Sequence, residues 1–124
     1  MSSPLLVSQH DEDPGIVRAR AEFLREEMVA RVQADGNDFD ALHTLGASLF
    51  VLGSYQSANN VLARAIMLDS SHAWTWYWMA RNCEAMGDPA AAAMANDRAL
   101  ELDAENLEFQ LFRGRLARAL RRRN

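Results

Sequence analysis

The sequence is poor in cysteine, proline and lysine, and it has no long uncharged apolar stretch. Its 124 residues include a single cysteine, Cys83, which therefore has no second thiol with which to form an intramolecular disulfide. No window of about 18 residues is apolar and free of charge, so the sequence predicts no membrane-spanning helix and no insertion into a membrane. The first residues, MSSPLLVSQHDEDPG, lack the basic start and apolar run of a signal peptide, and we expect a cytoplasmic protein.

The charges are distributed unevenly, and every basic residue is an arginine. All 17 acidic residues precede residue 113, whereas six of the 13 arginines lie in residues 113–124: Arg113, Arg115, Arg118, Arg121, Arg122 and Arg123. A basic run of this kind leaves open an arginine-tail nucleic-acid binder as one interpretation. The acidic body argues against it, and cations at the end of a helix also complement the helix dipole. Nucleic acid is therefore not the partner that we expect.

The chain repeats itself with a period of about 34 residues, a length found among repeat architectures. A shift by this amount aligns ten pairs of identical or similar residues, among them Gly53 with Gly87 and Asp69 with Asp103. The two units cover residues 39–72 and 73–106. Stacked helical hairpins are the architecture typical of a repeat of this length, because one hairpin cannot bury its apolar face alone.

The apolar spacing within each unit predicts two helices. Leu42, Leu45 and Leu49 recur at intervals of three and four residues, and Gly53 ends the first helix of unit one. In the second unit, Gly87 has the same place, and Asp88 is suited to cap the helix that follows. We also predict a leading helix over 15–35 and a capping helix over 107–121, which gives about six helices in all. The helices form one domain over 15–124, and residues 1–14 are predicted to be a flexible leader.

The repeated residues resemble the tetratricopeptide repeat (TPR), whose pattern is W-x2-L-G-x2-Y, then A-x3-F, then A and P. The matching positions are Leu42, Leu45, Gly46, Leu49, Gly53, Tyr55, Ala58, Leu62 and Ala65 in the first unit, and Trp76, Met79, Ala80, Cys83, Gly87, Ala92 and Ala99 in the second. Asn96 departs from the pattern where a large apolar residue is usual, and we expect it to weaken packing. The resemblance implies an all-α fold, a right-handed α-solenoid of helix-turn-helix repeats.

The resemblance also implies a binding surface, because in this family the first helix of each unit lines a concave groove. The residues expected to line that groove are Asp40, His43, Ala47, Phe50, Trp74, Tyr77, Trp78, Arg81, Glu84, Arg115 and Arg118. Aromatic rings beside arginines are typical of peptide hot spots. Trp74 and Trp78 have an alternative, which is to pack on neighbouring helices.

Family members that bind the carboxylate of heat-shock chaperones do so with a clamp of Lys, Asn and Arg. The corresponding positions here hold His43, Ala47 and Trp78, so that clamp is absent. A short array of this size resembles instead the TPR chaperones of bacterial type III secretion. That resemblance implies a chaperone or adaptor that holds an apolar or amphipathic segment of a partner protein.

The residues that carry chemistry predict no enzyme, no metal site and no cofactor. His10, His43 and His72 include no pair at the i, i+4 spacing of a helical metal site. Cys83 occupies an apolar repeat position and is expected to be a small core residue. The leading helix leaves Phe23 and Leu24 without an obvious partner within the chain, so a homodimer or a homo-oligomeric scaffold is the alternative function.

Overall fold

Six helices make up the part of the protein that the computed structural model describes, residues 13–123. They are α1 (Pro14–Ala34), α2 (Phe39–Val51), α3 (Tyr55–Leu68), α4 (Ala73–Ala85), α5 (Pro89–Leu102) and α6 (Leu107–Arg123). The helices pack in sequence, each against the next, and the connections between them are short. The predicted all-α repeat array is confirmed. The flexible leader predicted for residues 1–14 lies, for residues 1–12, outside the described residues.

Recurring residues at the helix ends set the repeat. Asp35, Asp69 and Asp103 follow α1, α3 and α5, and each has an extended φ, between −148° and −153°, that ends the helix. Gly53 and Gly87 follow α2 and α4 with φ of +82° and +86°, a left-handed conformation that glycine adopts without steric cost. Helix direction is therefore reversed at the same positions in both units.

Carboxylate caps begin three of the helices. The side chains of Asp13, Asp38 and Asp88 accept hydrogen bonds from backbone N–H groups in the first turns of α1, α2 and α5. Asp38 also receives two N–H groups of the Arg31 guanidinium, which joins the end of α1 to the start of α2. The pKa of Asp38 is lowered, chiefly by the bond from the Ala41 N–H and also by Arg31.

Close helix contacts depend on small residues. Gly46 in α2 faces the side chain of Leu62 in α3 so closely that a methyl group at Gly46 would overlap it. Leu62 is fully buried, and it belongs to the larger core cluster, which continues through α4 and α5 to Phe109, Phe112 and Leu116 of α6. A smaller cluster around Met28, Ala41 and Leu45 joins α1 to α2.

Two expectations about packing concern Asn96 and Leu24, and the structure corrects the second. Asn96 is fully buried, and its Nδ2 donates a 2.9 Å hydrogen bond to the backbone carbonyl of Phe109. The Oδ1 of Asn96 is buried and has no hydrogen-bond partner in the described part of the chain, so the bond from α5 to α6 satisfies only half of the amide, and weaker packing at Asn96 stays a prediction. Leu24 is half-buried and packs against the larger core cluster, so it does have a partner within the chain. Phe23 remains 62% exposed.

Candidate functional site

The first helices of the repeats, α2, α4 and α6, contact one another through large side chains. We call the surface that these three helices share the inner face. The ring of Tyr77 in α4 lies at its centre, stacked on Phe109 with 5.2 Å between ring centres. Phe112 and Trp74 meet the same ring edge-on at 5.6 Å and 5.4 Å. Aromatic packing thus joins α4 to α6.

Arg81 lies over this aromatic group. Its guanidinium carbon is 5.3 Å from the ring centre of Phe50, 5.7 Å from that of Tyr77 and 5.9 Å from that of Phe112. Rings from all three first helices therefore contact one cation, which is half-buried. Desolvation strengthens such cation–π contacts relative to exposed ones.

The hydroxyl of Tyr77 connects Arg81 to α6. Arg81 Nη1 donates a 2.8 Å hydrogen bond to Tyr77 Oη, and that hydroxyl donates a 3.0 Å bond to Glu108 Oε2. Burial raises the pKa of Tyr77 to about 12, so the hydroxyl keeps its proton at neutral pH and serves as the donor to Glu108. The guanidinium is thus held in one orientation by a bond and by three rings.

A second cation lies on the α6 side of the inner face. Arg115 Nη2 donates a 3.0 Å hydrogen bond to Glu84 Oε1, and the guanidinium lies 4.8 Å from the ring centre of Phe112. Arg118, one turn further along α6, is exposed. The end of the inner face at the C-terminal halves of α2 and α4 therefore carries Arg81, Glu84 and Arg115, whereas the opposite end is aromatic.

That opposite end is built around His43. The His43 ring is 6% exposed, its Nδ1 is 2.8 Å from the Thr75 hydroxyl, and its ring centre is 4.8 Å from that of His72. Phe39 stacks on the same ring at 6.0 Å. Burial, followed by the charge of His72, lowers the pKa of His43 to about 3, so the imidazole is neutral at pH 7.

The structure divides the residues predicted to line the groove. Asp40, Arg115 and Arg118 are exposed, and Phe50, Trp74, Arg81 and Glu84 are half-buried. Ala47 and Trp78 are fully buried, and Tyr77 and His43 are nearly so, which corrects the expectation that these four side chains line an open surface. The physical reason is the interlocking of rings between the first helices: Phe50 of α2 lies 5.8 Å from Trp78, and Phe109 and Phe112 of α6 cover Tyr77.

Three residues of the site were missed by the sequence analysis, namely Glu108, Phe109 and Phe112. The repeat register could have found two of them, since Glu108 stands one repeat step after Trp74 and Phe112 stands one repeat step after Trp78. Phe109 stands one step after Thr75, which was not predicted to line the groove. Among residues 13–123 no group of three or more metal-ligating side chains is close enough to hold a metal ion. Nor does any helix of that range have the length and apolar character needed to cross a membrane.

No family model and no curated protein sequence matches this chain. Solved structures do match. One is the first TPR of Spaghetti (RPAP3) bound to the HSP90 peptide SRMEEVD. It has a TM-score of 0.78 and 18% identity, and the match covers 82% of this chain and 81% of that one. The type III secretion chaperone SycD of Yersinia enterocolitica, in complex with a peptide of the translocator YopD, has a TM-score of 0.67, 22% identity and coverage of 83% and 79%. PcrH bound to the chaperone binding region of PopD has a TM-score of 0.67 and 19% identity, and the match covers 83% of this chain and 77% of that one. The chain therefore has the TPR fold.

Proposed function

We propose that this chain is a non-enzymatic module that binds an apolar or amphipathic segment of a partner protein on its inner face, as a small chaperone or adaptor of the type III secretion kind. The observation that carries the proposal is the half-buried Arg81 held over three aromatic rings. Arginine and aromatic groups contribute most to protein interfaces when they are presented together and partly desolvated. The SycD and PcrH structures, which share the fold, contain a peptide of the translocator YopD and the chaperone binding region of PopD, respectively.

The geometry supports a division of roles on the inner face. The accessible parts of Phe50 and Trp74 would contact apolar side chains of the segment, and Arg81 and Arg118 would receive its acidic groups. Because Arg81 is already oriented by Tyr77, little rotamer freedom is lost when it binds a carboxylate. Covering an apolar segment in this way would keep it from aggregating until it is transferred to the export machinery.

Binding of an HSP90-type C-terminus is not supported by the same residues. The clamp positions that the family resemblance assigns to a terminal carboxylate hold His43, Ala47 and Trp78 here, and all three are buried. His43 is also neutral at pH 7. The peptide SRMEEVD, which the RPAP3 domain binds, is therefore a suitable negative control.

The proposal is tested by purifying the tagged chain from its native host in mild salt and identifying stoichiometric companions by mass spectrometry. The test variant is Arg81→Gln combined with Arg118→Gln, and the matched control is Arg113→Gln, an exposed arginine on the side of α6 that faces α5. We expect the wild type and the control to retain one partner chain and the double variant to lose it, with unchanged circular dichroism. The same partner recovered in equal amount with all three proteins would contradict the proposal.

A second candidate function, self-assembly through α1, is favoured by two exposed side chains. Ile16 and Phe23 are 57% and 62% exposed, and their i, i+7 spacing places them on one side of the helix. If this surface joins two copies, light scattering gives the mass of a dimer, and Phe23→Glu returns it to that of a monomer. Val29→Glu, the same charge change on another side of α1, is the control. A wild-type monomer at high concentration would exclude this candidate.

A further inference from the structure

One side of α6 is apolar and open within residues 13–123. Leu107 and Leu111, one turn apart on this helix, are 66% and 62% exposed. Leu111 stands one repeat step after Tyr77, whose ring is buried because two phenylalanines of α6 cover it. The described chain has no further helix to cover Leu111 in the same way.

This apolar side continues into positive charge. Arg118 stands seven residues after Leu111 and therefore on the same side of α6, and its side chain is exposed. Among residues 101–122, every acidic residue precedes residue 109 and every arginine follows residue 112. The acidic residues include Glu105, which is exposed just before α6 begins. We call the side of α6 that carries Leu107, Leu111 and Arg118 the terminal face.

The terminal face is complementary to itself in one orientation. Two parallel copies of α6 would bring arginine to arginine, whereas two antiparallel copies bring arginines to acidic residues and also oppose their helix dipoles. When Leu107 of one copy meets Leu111 of the other, Arg118 lies about 10 Å past the Leu107 that it approaches. The segment 103–106, which carries Glu105, lies in that direction. Apolar contacts and opposite charges therefore coincide in a single register.

The exposed side of α1 does not have this order of charges. Phe23 has Arg20 one turn before it and Glu27 one turn after it, and Glu26 is exposed nearby. Because both signs occur close together on α1, its charges select neither an orientation nor a register. Charge complementarity thus favours α6 over α1 as the helix that meets a second copy.

We propose that the terminal face binds the terminal face of a second copy, antiparallel and about a twofold axis near residue 109. Leu107 and Leu111 of the two copies are in contact, and Arg118 of each copy lies at Glu105 of the other. A twofold axis makes each contact occur twice, so four leucines and two ion pairs form the interface. The inference goes beyond the proposed function, because the dimer needs no partner protein. A partner segment that uses Arg118 competes with the dimer for it.

Sedimentation equilibrium of the full chain, over an about hundredfold range of concentration, measures the dissociation constant of the dimer. We expect the wild type to reach twice the 13.9 kDa of one chain. The test variant combines Leu107→Gln with Leu111→Gln, and the matched control combines Met67→Gln with Met94→Gln, which changes two exposed apolar side chains of α3 and α5. The dissociation constant should rise at least tenfold in the test variant and stay unchanged in the control, with the same circular dichroism in all three proteins.

A charge exchange tests the antiparallel register. Arg118→Glu alone and Glu105→Arg alone each place like charges together twice in a dimer, so each variant should dimerise at least tenfold more weakly than the wild type. In an equimolar mixture of the two variants, both ion pairs are restored with reversed sign in the mixed dimer. We therefore expect the mixture to associate with the affinity of the wild type. Phe23→Glu should leave the dimer intact.

Three results would overturn the inference: a wild type that stays monomeric over the whole range, a dimer that the glutamine double variant forms equally well, or a mixture of the charge variants that associates no better than either alone. A dimer that is lost in Phe23→Glu and retained in the glutamine double variant would assign self-assembly to α1. All of these measurements are made without a partner protein, so they leave the partner test of Arg81 unaffected, and failure of that test leaves this inference standing.

Discussion

Replacing Gly46 with alanine is expected to lower the free energy of unfolding by about 1 kcal/mol. The new methyl group would overlap Leu62, and because Leu62 is fully buried it cannot turn into solvent to relieve the overlap. Overpacking of this kind costs about 1–3 kcal/mol. The gain of about 1 kcal/mol in helix propensity on replacing glycine with alanine offsets part of that cost. Urea unfolding at pH 7, followed by circular dichroism, measures the difference.

The matched control for this substitution is Gly114→Ala. Gly114 stands two repeat steps after Gly46 and at the same register, but the nearest side-chain atom to an added methyl there is Arg118 Nη1 at 3.9 Å. The substitution should therefore raise stability by about 0.5–1 kcal/mol through helix propensity alone. Equal effects of the two substitutions would show that the α2–α3 contact is not as close as the structure places it.

Acidification is expected to weaken the fold through His43. Its pKa is about 3 in the folded chain and near the ordinary value of 6.5 in the unfolded chain, so the unfolded state binds the proton more tightly between these values. The contribution of His43 to stability is therefore complete above pH 6.5 and is lost as the pH falls from 6.5 towards 3. Between pH 7 and pH 5 the loss amounts to about 2 kcal/mol.

The variant His43→Gln isolates this effect, because glutamine can still bond to the Thr75 hydroxyl but does not titrate. Unfolding free energies of the wild type and the variant are compared at pH 5, 6 and 7, and the carboxylates, which titrate in both proteins, cancel in the difference. We expect the variant to lose less stability on acidification than the wild type. Parallel pH profiles would mean that His43 is not shielded from solvent in the folded protein.

The repeat made the helical framework predictable from sequence. Glycines one repeat step apart fix the reversals after α2 and α4, and the aligned aspartates fix the ends of α1, α3 and α5. The small residues Gly46 and Ala80 also mark, from the pattern alone, where first helices touch their neighbours. These features depend on local backbone conformation and on side-chain size, and a short segment of sequence is enough to predict both.

The inner face was less predictable, because periodicity assigns a residue to a side of its helix but not to a depth. Tyr77 and Trp78 are on the predicted helix, yet they are enclosed because rings of α2 and α6 interlock with them. Asn96 has a similar explanation, since its side chain donates a hydrogen bond to the Phe109 carbonyl, 13 residues away on another helix. Contacts between helices decide these cases, and a single-helix pattern contains no information on them.

The most direct test of the central claim is the calorimetric affinity of the partner segment for the inner face. Once the companion chain is known, its shortest binding segment is titrated into the wild type, into the Arg81→Gln and Arg118→Gln double variant, and into Arg113→Gln. We expect a dissociation constant at least tenfold higher for the double variant, a loss of about 1.4 kcal/mol in binding free energy, and an unchanged constant for Arg113→Gln. Equal affinities for the three folded proteins would contradict it.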